Sequence, residues 1–330
     1  MPTLVIQTAF LGDVVLTTPL LSALAAHHGP VDVVTTPVAA PLLETHPAVR
    51  QVIPYDKRGS DRGWAGVRRL ARRLRTERYE RAYLPHRSLR TATLAMLARI
   101  PSRIGFSGGW SFLYTAAGPK PSVGHESDRL LALADEASGA YPPHLRATAA
   151  DEQAAAAIID GAFIALAPGS IWGSKRWPYY PELAARLAAD VAVVVVGGQD
   201  DVELGDAIVA AIRPSGRPAV NACGRLTLRE SAALIGRASA LVTNDSAPLH
   251  LATAMGTPIV GLFGPTVTEF GFGPLRAGDV ALGMDGLECR PCSPHGPPAC
   301  PLGHHRCMRD LTVEAVMTAI EDLGALRRRS

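Results

Sequence analysis

The stretch Thr243-Asn244-Asp245-Ser246-Ala247-Pro248-Leu249-His250 decides how the chain is read. An apolar run, Ala240-Leu241-Val242, stops at small polar residues, and a helix opens with Pro248 in its first turn. A strand that ends in such a turn presents backbone N–H groups and the positive end of a helix dipole. That is a ready site for an anion, most often a phosphate. His250, about one helical turn further on, can face the same site as a neutral donor or a cation. The competing reading is an ordinary helix cap by Asp245 or Ser246.

The same strand-then-helix alternation runs in both directions from this point. In the first half, Leu4–Ala9, Val31–Thr36, Gln51–Pro54, Arg81–Pro85 and Ser102–Phe106 read as strands, with helices such as Val14–His27 and Gly63–Arg78 between them. In the second half the strands are Phe163–Ala167, Ala192–Gly197, Ala219–Ala222, Ala240–Thr243 and Ile259–Phe263. Pro181–Ala189, Asp201–Ile212, Leu228–Ile235 and Ala247–Ala254 are their helices. A βα pattern that occurs twice predicts an α/β protein of two doubly wound domains. The turn-rich Tyr141-Pro142-Pro143-His144 and the helical Ala149–Ala157 put the boundary so that the domains are 1–150 and 151–330. A last helix over 312–326 is expected, capped by Thr312 and followed by Arg327-Arg328-Arg329, which argue that it is ordered.

Composition agrees. A chain of 330 residues suits about two domains, and 47% apolar against 19% charged residues suits a well-buried globular protein. The net charge of +3 is too small to argue for nucleic acid, and no nucleic-acid motif is present. Met1-Pro2-Thr3 runs straight into the first strand, no cleavable signal is visible, and no apolar run reaches the ~18 residues of a membrane helix. These features predict a cytoplasmic, soluble protein.

Three further loops fall at the carboxyl ends of strands, where doubly wound folds hold ligands. Phe10-Leu11-Gly12-Asp13 follows the first strand. Gly12 there allows a tight turn, and Asp13 at a helix start is favoured in its ionised form, able to act as a general base toward a hydroxyl or simply to cap the helix. Neither a Gly-x-Gly-x-x-Gly fingerprint nor a Walker lysine is present, which weakens a dehydrogenase or P-loop reading. Ala167-Pro168-Gly169-Ser170 leads into Lys175-Arg176-Trp177-Pro178. Ser170 and its backbone can donate to phosphate oxygens, and Lys175 and Arg176 add positive charge. In Gly197-Gly198-Gln199-Asp200-Asp201-Val202-Glu203, acids follow two glycines, as they do where nucleotide folds hold ribose hydroxyls; a metal-bound phosphate or plain helix capping are the rivals.

Taken together these residues resemble glycosyltransferase family 9, the bacterial heptosyltransferases that build the lipopolysaccharide inner core. The resemblance rests on Gly12-Asp13, Pro168-Gly169-Ser170 with Lys175-Arg176-Trp177-Pro178, Asn244-Asp245-Ser246 with His250, and Gly264-Pro265-Thr266. It implies the GT-B fold, two facing Rossmann-like domains with the active site in the cleft between them. The first would bind the acceptor and the second the nucleotide sugar. It implies inverting transfer of heptose from ADP-heptose to a lipopolysaccharide core and lipid A acceptor, with no cofactor required for catalysis. Asp13 would be the general base. Lys175 and the N–H groups around Ser246 and Ala247 would stabilise the leaving diphosphate, and Asp245 and His250 would position diphosphate and sugar. Glu203 would touch the ribose, with Asp201 its rival. Ala247 stands where many relatives carry glycine and restricts that turn more. Transfer from another nucleotide sugar or to a protein or natural-product acceptor, and a non-catalytic nucleotide-sugar binder on the same fold, are the alternatives.

Two clusters lie outside this scheme. Residues 57–90 are crowded with cations, and helix 63–78 sets Trp64, Val67, Leu70, Ala71 and Leu74 on one stripe and arginines around the rest. That is a solvated basic face or one drawn to an anionic partner, here the phosphorylated lipid A core and the inner face of the inner membrane. Within 289–307, Cys289, Cys292, Cys300 and Cys307 lie amid prolines with His295, His304 and His305 nearby. A structural zinc or iron site, free thiols and disulfides are the three readings, the last disfavoured in a cytosolic protein.

Overall fold

Leu4-Val5-Ile6 carries no polar side chain because both faces of its strand are covered, and all three residues are fully buried. Side chains alternate across a strand, so Leu4 and Ile6 join one core, with Val34, Leu70, Leu74 and Leu84, while Val5 joins a second with Leu20, Leu24 and Val33 on the other face. The computed structural model describes residues 2–326, and the chain divides into two units, Met1–Arg146 and Ala147–Ser330.

The first unit runs β1 (Thr3–Ile6), α1 (Leu11–Leu16), α2 (Thr18–His28), β2 (Val31–Thr35), α3 (Ala40–Leu43), β3 (Val49–Pro54), α4 (Gly63–Thr76), β4 (Arg81–Leu84), α5 (Leu89–Leu97), β5 (Ser102–Phe106), β6 (Ala116–Gly118) and α6 (Glu126–Leu131). Its sheet has the order β3-β2-β1-β4-β5-β6, with Val5 in register with Val33 on one side and Tyr83 on the other, all strands parallel.

The second unit repeats the plan with α7 (Ala149–Ala156), β7 (Phe163–Ala167), α8 (Tyr180–Leu187), β8 (Ala192–Val195), α9 (Val202–Ile212), β9 (Ala219–Asn221), α10 (Leu228–Arg237), β10 (Ala240–Asn244), α11 (Ala247–Met255), β11 (Ile259–Phe263), β12 (Val280–Gly283), α12 (Arg306–Arg309) and α13 (Val313–Asp322). Its order is β12-β11-β10-β7-β8-β9, again all parallel, with Leu166 flanked by Val242 and Val195. In each unit the strand order reverses once, between β1 and β4 and between β7 and β10.

The α/β, doubly wound expectation is met twice over, with local corrections. The single helix predicted over 14–27 is two, α1 and α2, broken at Thr17. Pro19 lacks the N–H that a continuous helix would need and crowds the carbonyl one turn back. β6 and β12 were not expected. β6 is an exposed Ala-Ala-Gly with no β-branched residue, and β12 lies in a glycine-rich run. The last helix stops at Asp322, not 326, with Gly324 in the left-handed conformation at φ 69. Arg327-Arg328-Arg329 lie outside the described residues. Among these residues no helix is long and apolar enough to cross a membrane.

Candidate active site

A doubly wound sheet opens a crevice at the carboxyl ends of the strands where its order reverses. In the second unit those strands are β7 and β10, so the turns Pro168-Gly169-Ser170 and Asp245-Ser246 meet there. Asn244, fully buried at the end of β10, ties them together. Its Nδ2 donates to the Pro168 carbonyl at 2.8 Å, and its Oδ1 accepts the Trp177 N–H at 3.2 Å. Asn244 was not among the expected binding residues, although it stands in the Asn244-Asp245-Ser246 motif on which the resemblance rests.

Lys175 closes a single 3-10 turn, Gly173–Lys175, and is 7% exposed. Its ammonium lies 2.6 Å from Asp245 Oδ2 and 3.2 Å from the Asp245 carbonyl. The same Oδ2 accepts the Thr266 hydroxyl at 2.6 Å. A charge this far from water needs a partner, and this one has it. An ammonium has three donors; Asp245 takes two. Asp245 therefore spends its carboxylate inside the protein, on Lys175 and Thr266.

Ser246 is the N-cap residue of α11, with extended backbone. Its side chain makes no capping bond, and its buried hydroxyl has no hydrogen-bond partner among the described residues. The capping alternative is thus not what Ser246 does. Pro248 has no N–H, and the Leu249 N–H goes to the Ser246 carbonyl at 3.1 Å. The Ala247 N–H and the Ser246 hydroxyl are the donors that this turn offers. His250 lies one turn in, buried, with its ring edge-on to Phe272 at 6.2 Å between centroids.

The other expected binding residues are placed as follows. The Ser170 hydroxyl accepts the Trp172 N–H at 3.2 Å. The Arg176 guanidinium folds back and donates twice to the Ser170 carbonyl, at 3.0 and 2.9 Å, so it pins this turn. Asp201 holds the Gly198 N–H at 2.9 Å and lies so close to Gly169 that a Cβ there would be 2.3 Å from its Oδ1. Glu203 is exposed in the first turn of α9.

In the first unit, Asp13 is the third residue of α1, half-buried, and its Oδ2 accepts the Phe10 N–H at 3.1 Å. Gly12 is simply the second residue of that helix and has no left-handed backbone, so the tight turn expected of it is not formed. Around the same end of the sheet, Lys57 follows β3 and donates to the Thr8 carbonyl. His86 follows β4, and burial, with Lys57 and Lys120 behind it, pushes its pKa down. Burial, then Arg58 and Arg90, does the same to Lys57. Lys57 and Lys120 were not singled out as site residues from the sequence; Lys57 lies shortly after β3, and Lys120 shortly after β6, a strand that the sequence did not reveal.

The four clustered cysteines and Cys223 are free thiols. Burial, then the neighbouring thiols, raises Cys292 and pushes Cys307 up to about 11. At Cys300 burial is outweighed by backbone N–H groups, including that of His305 at 3.4 Å, and the pKa falls. Cys289 Sγ is 4.0 Å from His304 Nε2. Among the described residues no three His, Cys, Asp or Glu are arranged to hold a metal ion, so the tetrahedral set expected of Cys289, Cys292, Cys300 and Cys307 is not formed.

The profile described as glycosyltransferase family 9 (heptosyltransferase) matches residues 67–299. The chain is 28% identical to a lipopolysaccharide heptosyltransferase 2 of Salmonella typhimurium, covering 98% of both sequences. It superposes on ADP-heptose lps heptosyltransferase II of E. coli with a TM-score of 0.80 at 27% identity, covering 98% of each chain. It superposes on a family 9 glycosyl transferase of Veillonella parvula with a TM-score of 0.85 at 25% identity, covering 98% and 96%.

Proposed function

The chain belongs to glycosyltransferase family 9, and on that premise we propose that it moves heptose from ADP-heptose to a hydroxyl of the lipopolysaccharide inner core, with inversion at the anomeric carbon. The observation that carries the donor site is the buried Lys175–Asp245 pair beside the unspent Ser246 hydroxyl at the start of α11. A diphosphate seated there meets the third donor of Lys175, the Ser246 hydroxyl and the Ala247 N–H. These groups stabilise the charge that grows on the diphosphate as the glycosidic bond breaks. Asp245 acts through Lys175 by fixing the direction of its ammonium. His250, packed on Phe272, lines the sugar side. Ser170 and Arg176 shape the neighbouring turn, and Glu203 reaches the ribose.

Asp13 is the general base in this reading. Its carboxylate takes the proton of the acceptor hydroxyl while the oxygen attacks the anomeric carbon on the face opposite ADP. Lys57, held on the Thr8 carbonyl at the same end of the first sheet, suits an anionic acceptor.

The arginine face of α4 suits contact with an anionic leaflet and supports the reading of a cytoplasmic enzyme peripheral to the inner membrane. The transfer itself is tested by incubation with ADP-heptose and deacylated lipopolysaccharide. Release of ADP with gain of one heptose by the acceptor supports it; tight ADP-heptose binding without turnover would favour a non-catalytic binder.

A further inference from the structure

The cysteine-rich segment packs against the turn that carries Lys175. Gly296, at φ 81, lies so close that a Cβ there would be 3.2 Å from Lys175 Cε and 3.4 Å from its Cγ. A Cβ on Gly173 would be 2.5 Å from the Pro298 carbonyl oxygen. The Ser174 hydroxyl donates to the Pro297 carbonyl, and the His305 Nε2–H donates to the Ser174 carbonyl at 2.7 Å. Every residue of the turn Gly173–Lys175 thus touches the segment.

The segment also holds the other end of the ion pair. Arg290 donates to the carbonyls of Gly264, Met284 and Thr266 at 2.6, 2.8 and 3.0 Å. The Cys292 N–H donates to the Pro265 carbonyl at 2.9 Å. These bonds fix the turn Gly264-Pro265-Thr266, whose Thr266 hydroxyl holds Asp245. A buried ammonium is useful in catalysis only when its direction is set before the charge develops. Lysine, with four rotatable side-chain bonds, does not set it alone.

We propose that the segment 289–307 is a brace that positions Lys175, with Gly296 and His305 as positioning residues from one side and Arg290, through Thr266 and Asp245, from the other. The brace rests on the reading of Lys175 as a donor-site residue. It explains why a proline-rich loop so far along the chain is kept against a catalytic turn.

The test is a double-mutant cycle on the full-length protein. His305→Ala and Gly296→Ala are each made alone and on a Lys175→Met background, with kcat and KM for ADP-heptose and the melting temperature read for all. The brace predicts at least a tenfold fall in kcat for each single variant with melting within about 2 °C. It predicts less than a twofold further fall once Lys175 is gone, because coupled residues are not additive. His305→Gln, which keeps an N–H donor, should recover most of the loss. Losses that multiply on the Lys175→Met background overturn the brace, as do His305→Ala and Gly296→Ala variants with kcat within twofold of the parent. If Lys175→Met itself keeps full kcat, the donor-site reading of Lys175 fails and the brace fails with it, a result distinct from the other two. Where Gly296→Ala does not fold, the His305 arm alone decides.

Discussion

Lys175 and Asp245 form an ion pair with 2.6 Å between Nζ and Oδ2, and each side chain is about nine-tenths buried. As a stability device such a pair is poor, because desolvating two charges offsets most of their attraction. As a catalytic device it fits, since it keeps a cation fixed at a helix start without letting it drift into water. Lys175→Ala should therefore lower kcat/KM for ADP-heptose by roughly 2–4 kcal/mol, in the range of other donors that stabilise transition-state charge. Steady-state kinetics check it. Asp245, left buried without its partner, should also make the variant less stable.

Asp13→Asn keeps the shape of the side chain and an oxygen for the Phe10 N–H, but it removes the base. Donor affinity should stay within a few-fold, by calorimetry, while transfer falls at least 100-fold, the low end for a positioned general base. Normal turnover would take Asp13 out of the chemistry.

His46 gives a pH prediction independent of catalysis. It is 2% exposed, and its Nδ1 accepts the Ala48 N–H at 3.2 Å, which requires the neutral ring. Burial, with His144 nearby, lowers its pKa to about 4. Between about pH 6.5 and pH 4 the unfolded chain binds a proton that the folded chain refuses. Stability should thus be level for this group above pH 6.5 and fall as pH drops through that window, by up to about 3 kcal/mol. Urea melts of the parent and His46→Asn at pH 7 and pH 5 read it; the variant should lose most of the difference.

Helix α4 buries Val67, Leu70, Ala71 and Leu74 and exposes Arg68, Arg69, Arg72, Arg73 and Arg75, with Trp64 54% exposed at its first turn. Of these arginines only Arg69 has a carboxylate partner among the described residues, Asp61. The protein should sediment with vesicles containing anionic phosphatidylglycerol and not with pure phosphatidylcholine, and salt should release it. Changing Arg68, Arg72, Arg73 and Arg75 to Gln should abolish sedimentation and leave turnover of a soluble acceptor within twofold. Equal binding to both vesicles would remove the membrane reading.

The sequence was informative about the fold where pattern and physics coincide. Runs such as Ala240–Val242 and Phe163–Ala167 are apolar throughout because parallel strands are buried on both faces, and they read correctly. β6 was invisible because Ala116-Ala117-Gly118 has no strand signature and exists only through its pairing with β5. At the site, residue types at strand ends were legible, but partners were not. Nothing in the spacing of Lys175 and Asp245, 70 positions apart, announces an ion pair. Nor does the chain order reveal that Arg176 would fold onto Ser170 or that Asp201 would cap Gly198. Those contacts depend on how loops from separate strands meet, which only tertiary structure sets.

The most direct measurement of the central claim is a donor panel on the unmodified protein, with ADP-heptose, other ADP-sugars, and GDP-, UDP- and dTDP-sugars each offered beside deacylated lipopolysaccharide, products being read by mass spectrometry and NMR. The expected result is a single added heptose from ADP-heptose alone, with its anomeric configuration inverted. Efficient transfer from a different nucleotide sugar, or a product that retains the donor's configuration, would contradict it.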